Sequence, residues 1–126
     1  MMIRFSNSSA IPSEKVEVLR KELEGILPED VQSHLPIIEV WNHPRDVHTQ
    51  EELEKMKANN PDFDPDKSAG EEYNGRIFLY RKAFQWSVYQ SLLVALHEIG
   101  HFFAGGEEEA DKWLVENLIF WKNRGK

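Results

Sequence analysis

The sequence predicts a small α+β domain: a small mixed sheet packed on a largely apolar helix and on a second helix with an acidic start. Three observations lead there. Short apolar alternations of strand length occur at residues 3–5, 37–41 and 76–81. Apolar residues recur at helical spacing over residues 13–26, 85–103 and 107–122. The length, 126 residues, fits one hydrophobic core, so residues 1–126 are expected to form a single domain.

The elements follow in order. Residues 3–5 can start a strand, and Pro12-Ser13 before Glu14 marks the start of a helix on which Val16, Leu19, Leu23 and Ile26 share a face. Gly25 and Pro28 end it, and after a short connection the β-branched run 37–41 reads as a strand. Residues 43–75 turn polar and are expected to form a long surface loop or a short-helix insertion. Within them Thr49 and Glu52 fit a capping box for a helix reaching about residue 57. Asp62, Asp64 and Asp66 imitate the start of a calcium loop, but Lys67 and Tyr73 stand where such a loop needs glycine and glutamate. A solvated acidic loop is the better reading. Asn74-Gly75 signals a turn into the strand at residues 76–81, whose place as an exposed edge or an interior strand is open. The helix of residues 85–103 is apolar on most of its surface and stops at Gly105-Gly106. On the next helix Ala110, Trp113, Leu114, Asn117, Leu118 and Trp121 form one face.

Composition narrows the chemistry. A chain of this length buries roughly two-thirds of its unfolded surface, so a core forms without staples and any metal is free to serve function. The absence of cysteine excludes disulfide scaffolds, thiolate metal sites and cysteine nucleophiles, leaving histidine and carboxylate chemistry. A net charge of −7 argues against a nucleic-acid partner. No window approaches the ~20 apolar residues that span a bilayer, and the N-terminus lacks a signal-like apolar run. No membrane partner is expected, and the expected compartment is the cytoplasm.

The apolar helix carries His97-Glu98-Ile99-Gly100-His101, the pattern HExxH. Residues four apart lie on one face about 6 Å apart along the axis, so both imidazoles can converge on one metal at about 2.0–2.1 Å. Glu98 is turned about 100° from His97, which places it beside the metal as a general base. The flanking Val94-Ala95-Leu96 and Phe102-Phe103 make this an apolar setting, where two imidazoles and a carboxylate are costly to bury without a partner. A catalytic zinc wants a third protein ligand. Helical phase puts Glu107, Asp111, Leu114, Leu118 and Trp121 on one stripe, so Glu107 and Asp111 are expected to face inward, with Glu107 as third ligand and Glu108 the alternative. Asp111 is then placed to accept the other ring N–H of a histidine, or it serves only as a first-turn carboxylate favoured by the helix dipole.

Residues 76–121 resemble zincin metallopeptidases of the gluzincin type, in which HExxH is followed by a glutamate helix bearing ExxAD. Here that second motif reads Glu107-Glu108-Glu109-Ala110-Asp111. In size the chain is similar to minimal single-domain gluzincins and zincin-like predicted metallopeptidases, and its motif is similar to that of repressor- and antitoxin-cleaving peptidases. The resemblance implies a minimal zincin-like fold and a Zn2+ cofactor held by His97, His101 and Glu107. It also implies Glu98 as catalytic acid/base, Asp111 supporting a histidine, and a peptide or protein substrate. Only FFAGG separates His101 from Glu107, shorter than the usual gluzincin spacing. This is the offset of the metzincin third ligand, though Ala104 stands where metzincins have glycine. A zinc-dependent endoribonuclease family shares the six-residue offset but lacks the glutamate after its first histidine. The expected function is zinc-dependent hydrolysis of peptide bonds, with a water activated by zinc and Glu98 as base. The alternatives are a non-catalytic zinc-binding or interaction module and a metal-dependent nuclease.

Overall fold

The computed structural model describes the backbone of residues 3–124 and the side chains of residues 3–116. The expected facing of Asn117, Leu118 and Trp121 therefore lies outside the described side chains. In chain order the elements are β1 (Phe5–Asn7), α1 (Ser13–Ile26), α2 (Glu29–His34), β2 (Ile38–Trp41), α3 (Gln50–Asn59), β3 (Gly70–Tyr73), β4 (Arg76–Tyr80), α4 (Val88–Ala104) and α5 (Glu107–Arg124). Short 3-10 turns cover Pro44–Asp46, Pro65–Lys67 and Arg81–Phe84. This is the α+β class expected, with a small mixed sheet. Among the described residues no helix is long and apolar enough to cross a membrane.

The sheet order is β1-β2-β4-β3, parallel except for β3, which runs antiparallel to β4 at one edge. β4 is interior, which decides the question left open by its sequence. Ile77, Phe78 and Leu79 are fully buried and Tyr80 nearly so, because an interior strand covered on both faces needs a continuous apolar run. Side chains alternate across the sheet. Ile77 and Leu79 join Ile38, Val40, Leu19, Leu23, Ala95, Leu96 and Ile99 in the main core, where α1 packs on α4 and α4 crosses β3 and β4. On the other face Phe78 meets the His48 ring edge-on at 5.8 Å, and the Tyr80 hydroxyl donates to Glu71.

Helix α1 buries Val16, Leu19, Leu23 and Ile26, the four residues its periodicity selects. Truncating a buried leucine such as Leu19 to alanine typically costs 2–5 kcal/mol. Helix α2 replaces the expected plain connection. It has no apolar stripe to betray it, since its one buried residue is Gln32, whose Nε2 donates to the carbonyls of Glu24 (3.0 Å) and Leu27 (2.8 Å). It thus satisfies acceptors left open where α1 ends. Helix α3 starts with the anticipated capping box: Glu52 N–H donates to Thr49 Oγ1 at 3.1 Å and Thr49 N–H to Glu52 Oε1 at 2.9 Å.

The long-loop expectation for residues 43–75 is corrected by β3. Strand Gly70-Glu71-Glu72-Tyr73 has low intrinsic strand preference, but it is paired by a hairpin whose turn, Asn74-Gly75, has φ of 50° and 78°. Two consecutive positive φ values match the twist of a two-residue hairpin and favour this dipeptide. Two of the aspartates before it, Asp64 and Asp66, are structurally engaged. Asp66 Oδ1 accepts from Arg45 Nη1 at 2.9 Å and pairs with His43 Nε2 at 2.8 Å, and Asp64 Oδ1 accepts the Asp66 N–H.

Candidate metal centre

Helix α4 places His97 and His101 one turn apart and ends at Gly105, whose φ of 94° only glycine adopts without strain. The chain reverses there and α5 starts at Glu107. The reversal is tight because Gly100 has no side chain. A Cβ at that position would lie 3.1 Å from the Ala110 carbonyl oxygen and 3.3 Å from Leu114 Cγ. Ala110 is fully buried against α4, and the Trp113 ring stacks on Phe103 at 5.2 Å.

This packing brings two imidazoles and a carboxylate together. His101 Nε2 lies 3.1 Å from His97 Nε2 and 3.0 Å from Glu107 Oε1, and His97 Nε2 lies 3.6 Å from Glu107 Oε2. Donors at tetrahedral angles around zinc, each about 2.0–2.1 Å away, stand about 3.3–3.4 Å apart. The separations straddle that value, with a different Glu107 oxygen toward each histidine, and His97, His101 and Glu107 form the metal-capable group among the described residues. The protonation pattern points the same way. His101 Nδ1 lies 2.7 Å from the Gly105 carbonyl, which can only accept, so Nδ1 carries the proton and Nε2 of the neutral ring presents its lone pair to the group. A cation is the natural partner for lone pairs gathered in this way, so these residues fit a bound zinc.

Electrostatics at the site favour positive charge. Burial opposes the charged form of His101, but the Gly105 carbonyl, Glu107 and Glu98 outweigh it and raise its pKa above the ordinary histidine value. Glu98 is only 7 % exposed. Burial pushes its carboxyl up to about 7, against the pull of His101 and with further lift from Glu71, Glu107 and Glu72. A carboxylate whose proton affinity lies near neutrality suits both removing and returning a proton.

The predicted site residues sort clearly. His97, Glu98, His101 and Glu107 occupy one locality, with Glu107 73 % exposed at its rim. The inward stripe expected for α5 holds at Leu114, which faces α4 together with Ala110 and Trp113, and is corrected at Asp111, which is exposed, as is Glu108. The reason is the close approach at Gly100, which sets the rotation of α5 about its axis. The His101 ring N–H offered to Asp111 is instead taken by Gly105. The other histidines serve elsewhere: His34 Nδ1 bonds the Asp30 carbonyl, His43 pairs with Asp66, and His48 with Glu71.

Sequence reasoning missed two glycines that shape the site. One is Gly100. The other is Gly70, where a Cβ would stand 2.9 Å from Val94 Cγ1 and 3.3 Å from Glu98 Cγ, so its absence lets the edge strand lie against the helix beside Glu98. A glycine at the fourth position of HExxH, inside a helix where it costs about 1 kcal/mol, was the available signal for the first. Comparison with known proteins found no matching family model, no matching curated protein and no matching solved structure.

Proposed function

We propose that the protein is a zinc-dependent endopeptidase of the cytoplasm that hydrolyses internal bonds of peptide or protein substrates. The observation that carries this reading is the convergence of His97 Nε2, His101 Nε2 and the Glu107 carboxylate, one oxygen of which lies 3.0 Å from His101 Nε2 and the other 3.6 Å from His97 Nε2, beside the buried carboxylate of Glu98. His97, His101 and Glu107 would hold the metal. Bound there, zinc supplies Lewis acidity toward a water and a scissile carbonyl. Glu98 takes a proton from the attacking water and returns it to the leaving amine. Gly105 keeps the His101 ring in the tautomer and orientation that ligation needs. The edge strand β3, antiparallel to β4 and pressed against α4 at Gly70, offers an extended substrate a strand to pair with.

The test measures zinc content, hydrolysis of a broad peptide and protein panel, and RNA cleavage for the wild type and Glu98→Gln. Glu98→Gln is expected to keep its zinc and to lose activity by a factor of about 10²–10⁴. Zinc-loaded wild type that cleaves nothing in the panel, or a Glu98→Gln rate equal to wild type, overturns the peptidase reading. Cleavage of RNA in place of peptide would replace it with the nuclease.

A further inference from the structure

Strand β3 supplies no side chain to the main core, yet it lies against α4 beside Glu98. Backbone pairing to β4 holds one of its edges. The Tyr80 N–H donates to the Ala69 carbonyl at 2.9 Å, and inward-bonding residues alternate in an antiparallel pair, so residues 69, 71 and 73 bond β4. The N–H and C=O groups of Gly70 and Glu72 therefore point to the other edge, where among the described residues no strand pairs with them. The Gly70 carbonyl accepts there from Ser68 Oγ at 3.3 Å. A short edge strand with so little apolar burial belongs to the part of a fold that opens first.

Its far face shows what else holds it. Side chains alternate across a strand, so Gly70 and Glu72 face α4 while Glu71 and Tyr73 lie on the opposite side with Phe78. There Glu71 Oε1 accepts from two buried donors, His48 Nε2 at 2.5 Å and the Tyr80 hydroxyl. The His48 side chain is 2 % exposed, and since a carboxylate oxygen only accepts, the ring proton lies on Nε2. Burial first, then the charge of Glu71, raise the Tyr80 pKa and keep its hydroxyl a donor. Tyr73 is held from the same segment: its ring meets His48 edge-on at 4.8 Å, and its hydroxyl donates to Glu52 Oε2 at 3.4 Å. Residues at the start of α3 thus grip both far-face side chains of β3, and the bonds to the charged Glu71 are of the stronger kind.

We propose that His48 and Tyr80 are positioning residues. Through Glu71 they clamp β3 from the far face of the sheet and hold the outward N–H and C=O groups of Gly70 and Glu72 beside Glu98, ready to pair with an extended substrate. The clamp rests on the contacts above; that a substrate pairs there rests on the peptidase reading. Neither residue belongs to the group that converges at the candidate metal centre. They act on substrate binding and leave the chemical step alone, so weakening the clamp raises KM and spares kcat.

The test combines amide hydrogen exchange, read by NMR, with kinetics on zinc-loaded protein. Tyr80→Phe deletes one donor, His48→Leu deletes the other, and His48→Gln restores an N–H to Glu71. Val16→Ala, in the core under α1, is the control for lost stability away from β3. In Tyr80→Phe and His48→Leu the amides of Glu71 and Tyr73 are expected to exchange at least about tenfold faster than in wild type. In His48→Gln and Val16→Ala they are expected to stay within about twofold of it. With fluorescein-labelled casein as substrate, KM should rise at least about fivefold in Tyr80→Phe and His48→Leu, with kcat within about twofold and zinc content unchanged. Tyr80→Phe, the milder change, carries the test should His48→Leu fail to fold. Unchanged exchange at Glu71 and Tyr73 in the clamp variants overturns the proposal, as does equal acceleration in Val16→Ala, which would make β3 open only with the whole fold. Faster exchange with an unchanged KM overturns it too. Where casein is not cut, exchange alone decides the clamp: acceleration in the clamp variants without Val16→Ala upholds it, and the peptidase reading stands or falls separately on its own panel.

Discussion

Glu107 and Gly100 show how single residues divide the work at the site. Glu107 is mostly in solvent, so replacing it with alanine should change folding stability by no more than about 0.5 kcal/mol. It should nevertheless weaken zinc binding strongly, whereas Glu108→Ala should retain stoichiometric zinc; competition with a coloured chelator measures both. The opposite result would exchange their roles. Gly100 touches no ligand, yet it sets the distance between α4 and α5. In Gly100→Ala, the added methyl meets the Ala110 carbonyl at 3.1 Å, and relieving that contact moves α5 and Glu107 outward. The gain in helix propensity, about 1 kcal/mol, works against the lost packing of about 1–3 kcal/mol. Metal-free stability should therefore fall by about 1–2 kcal/mol or less in urea unfolding, while zinc affinity falls about tenfold or more. Unchanged affinity would show that α5 adjusts without moving Glu107.

At the scale of elements, the sheet is tied across β2 and β4 by Glu39 and Arg76. Arg76 Nε and Nη2 donate to Glu39 Oε2 at 2.9 Å and Oε1 at 2.7 Å, with the guanidinium 4.8 Å from the Phe78 ring centre. The hydrogen bonds from Arg76, against a smaller opposing effect of burial, hold the Glu39 carboxyl below the ordinary glutamate pKa. A folded-state pKa below the unfolded value contributes stability that is complete above the unfolded pKa, about 4.3. That contribution is lost as pH falls through the lower folded value. Since Arg76 is about half exposed, solvent screening keeps it to about 0.2–1 kcal/mol. Urea midpoints of wild type and Glu39→Gln should differ between pH 7 and 5, and the gap should narrow progressively as pH falls below about 4. A gap that does not narrow over that range would assign the difference to packing. The β3–β4 hairpin is legible at this scale only in part. Asn74-Gly75 announces a turn before the apolar run of residues 76–81, but the strand on its other side lacks the alternation that would mark it and is held by pairing.

For the whole molecule, the main core is built without the site. The residues in it come from α1, α4, β2, β4, the segments joining them and Ile3 ahead of β1, and the candidate ligands lie at its edge. Zinc is therefore expected to add stability to a chain that folds without it. At free zinc one hundred times the dissociation constant, linkage gives about 2.7 kcal/mol. For a chain of this size that raises the unfolding temperature by roughly 10 °C. Calorimetry with and without EDTA checks both parts: a cooperative transition in EDTA, and a higher one with zinc. A chain unfolded in EDTA would make the metal a structural staple.

Much of this was determined by the sequence alone. The periodicity of residues 13–26, the capping box at Thr49 and Glu52, the strand at residues 76–80 and the two histidines on one helical face all depend on spacings within one element. Local backbone geometry converts such spacings directly into position. The tertiary structure decided the rest: that β4 is interior, that residues 70–73 are a strand, that Asp111 points to solvent, and that Glu107 is the carboxylate beside the imidazoles. Each depends on how closely and at what rotation two elements meet. That is set by contacts such as Gly100 against Ala110 and Gly70 against Val94, between residues whose distance along the chain conceals their proximity.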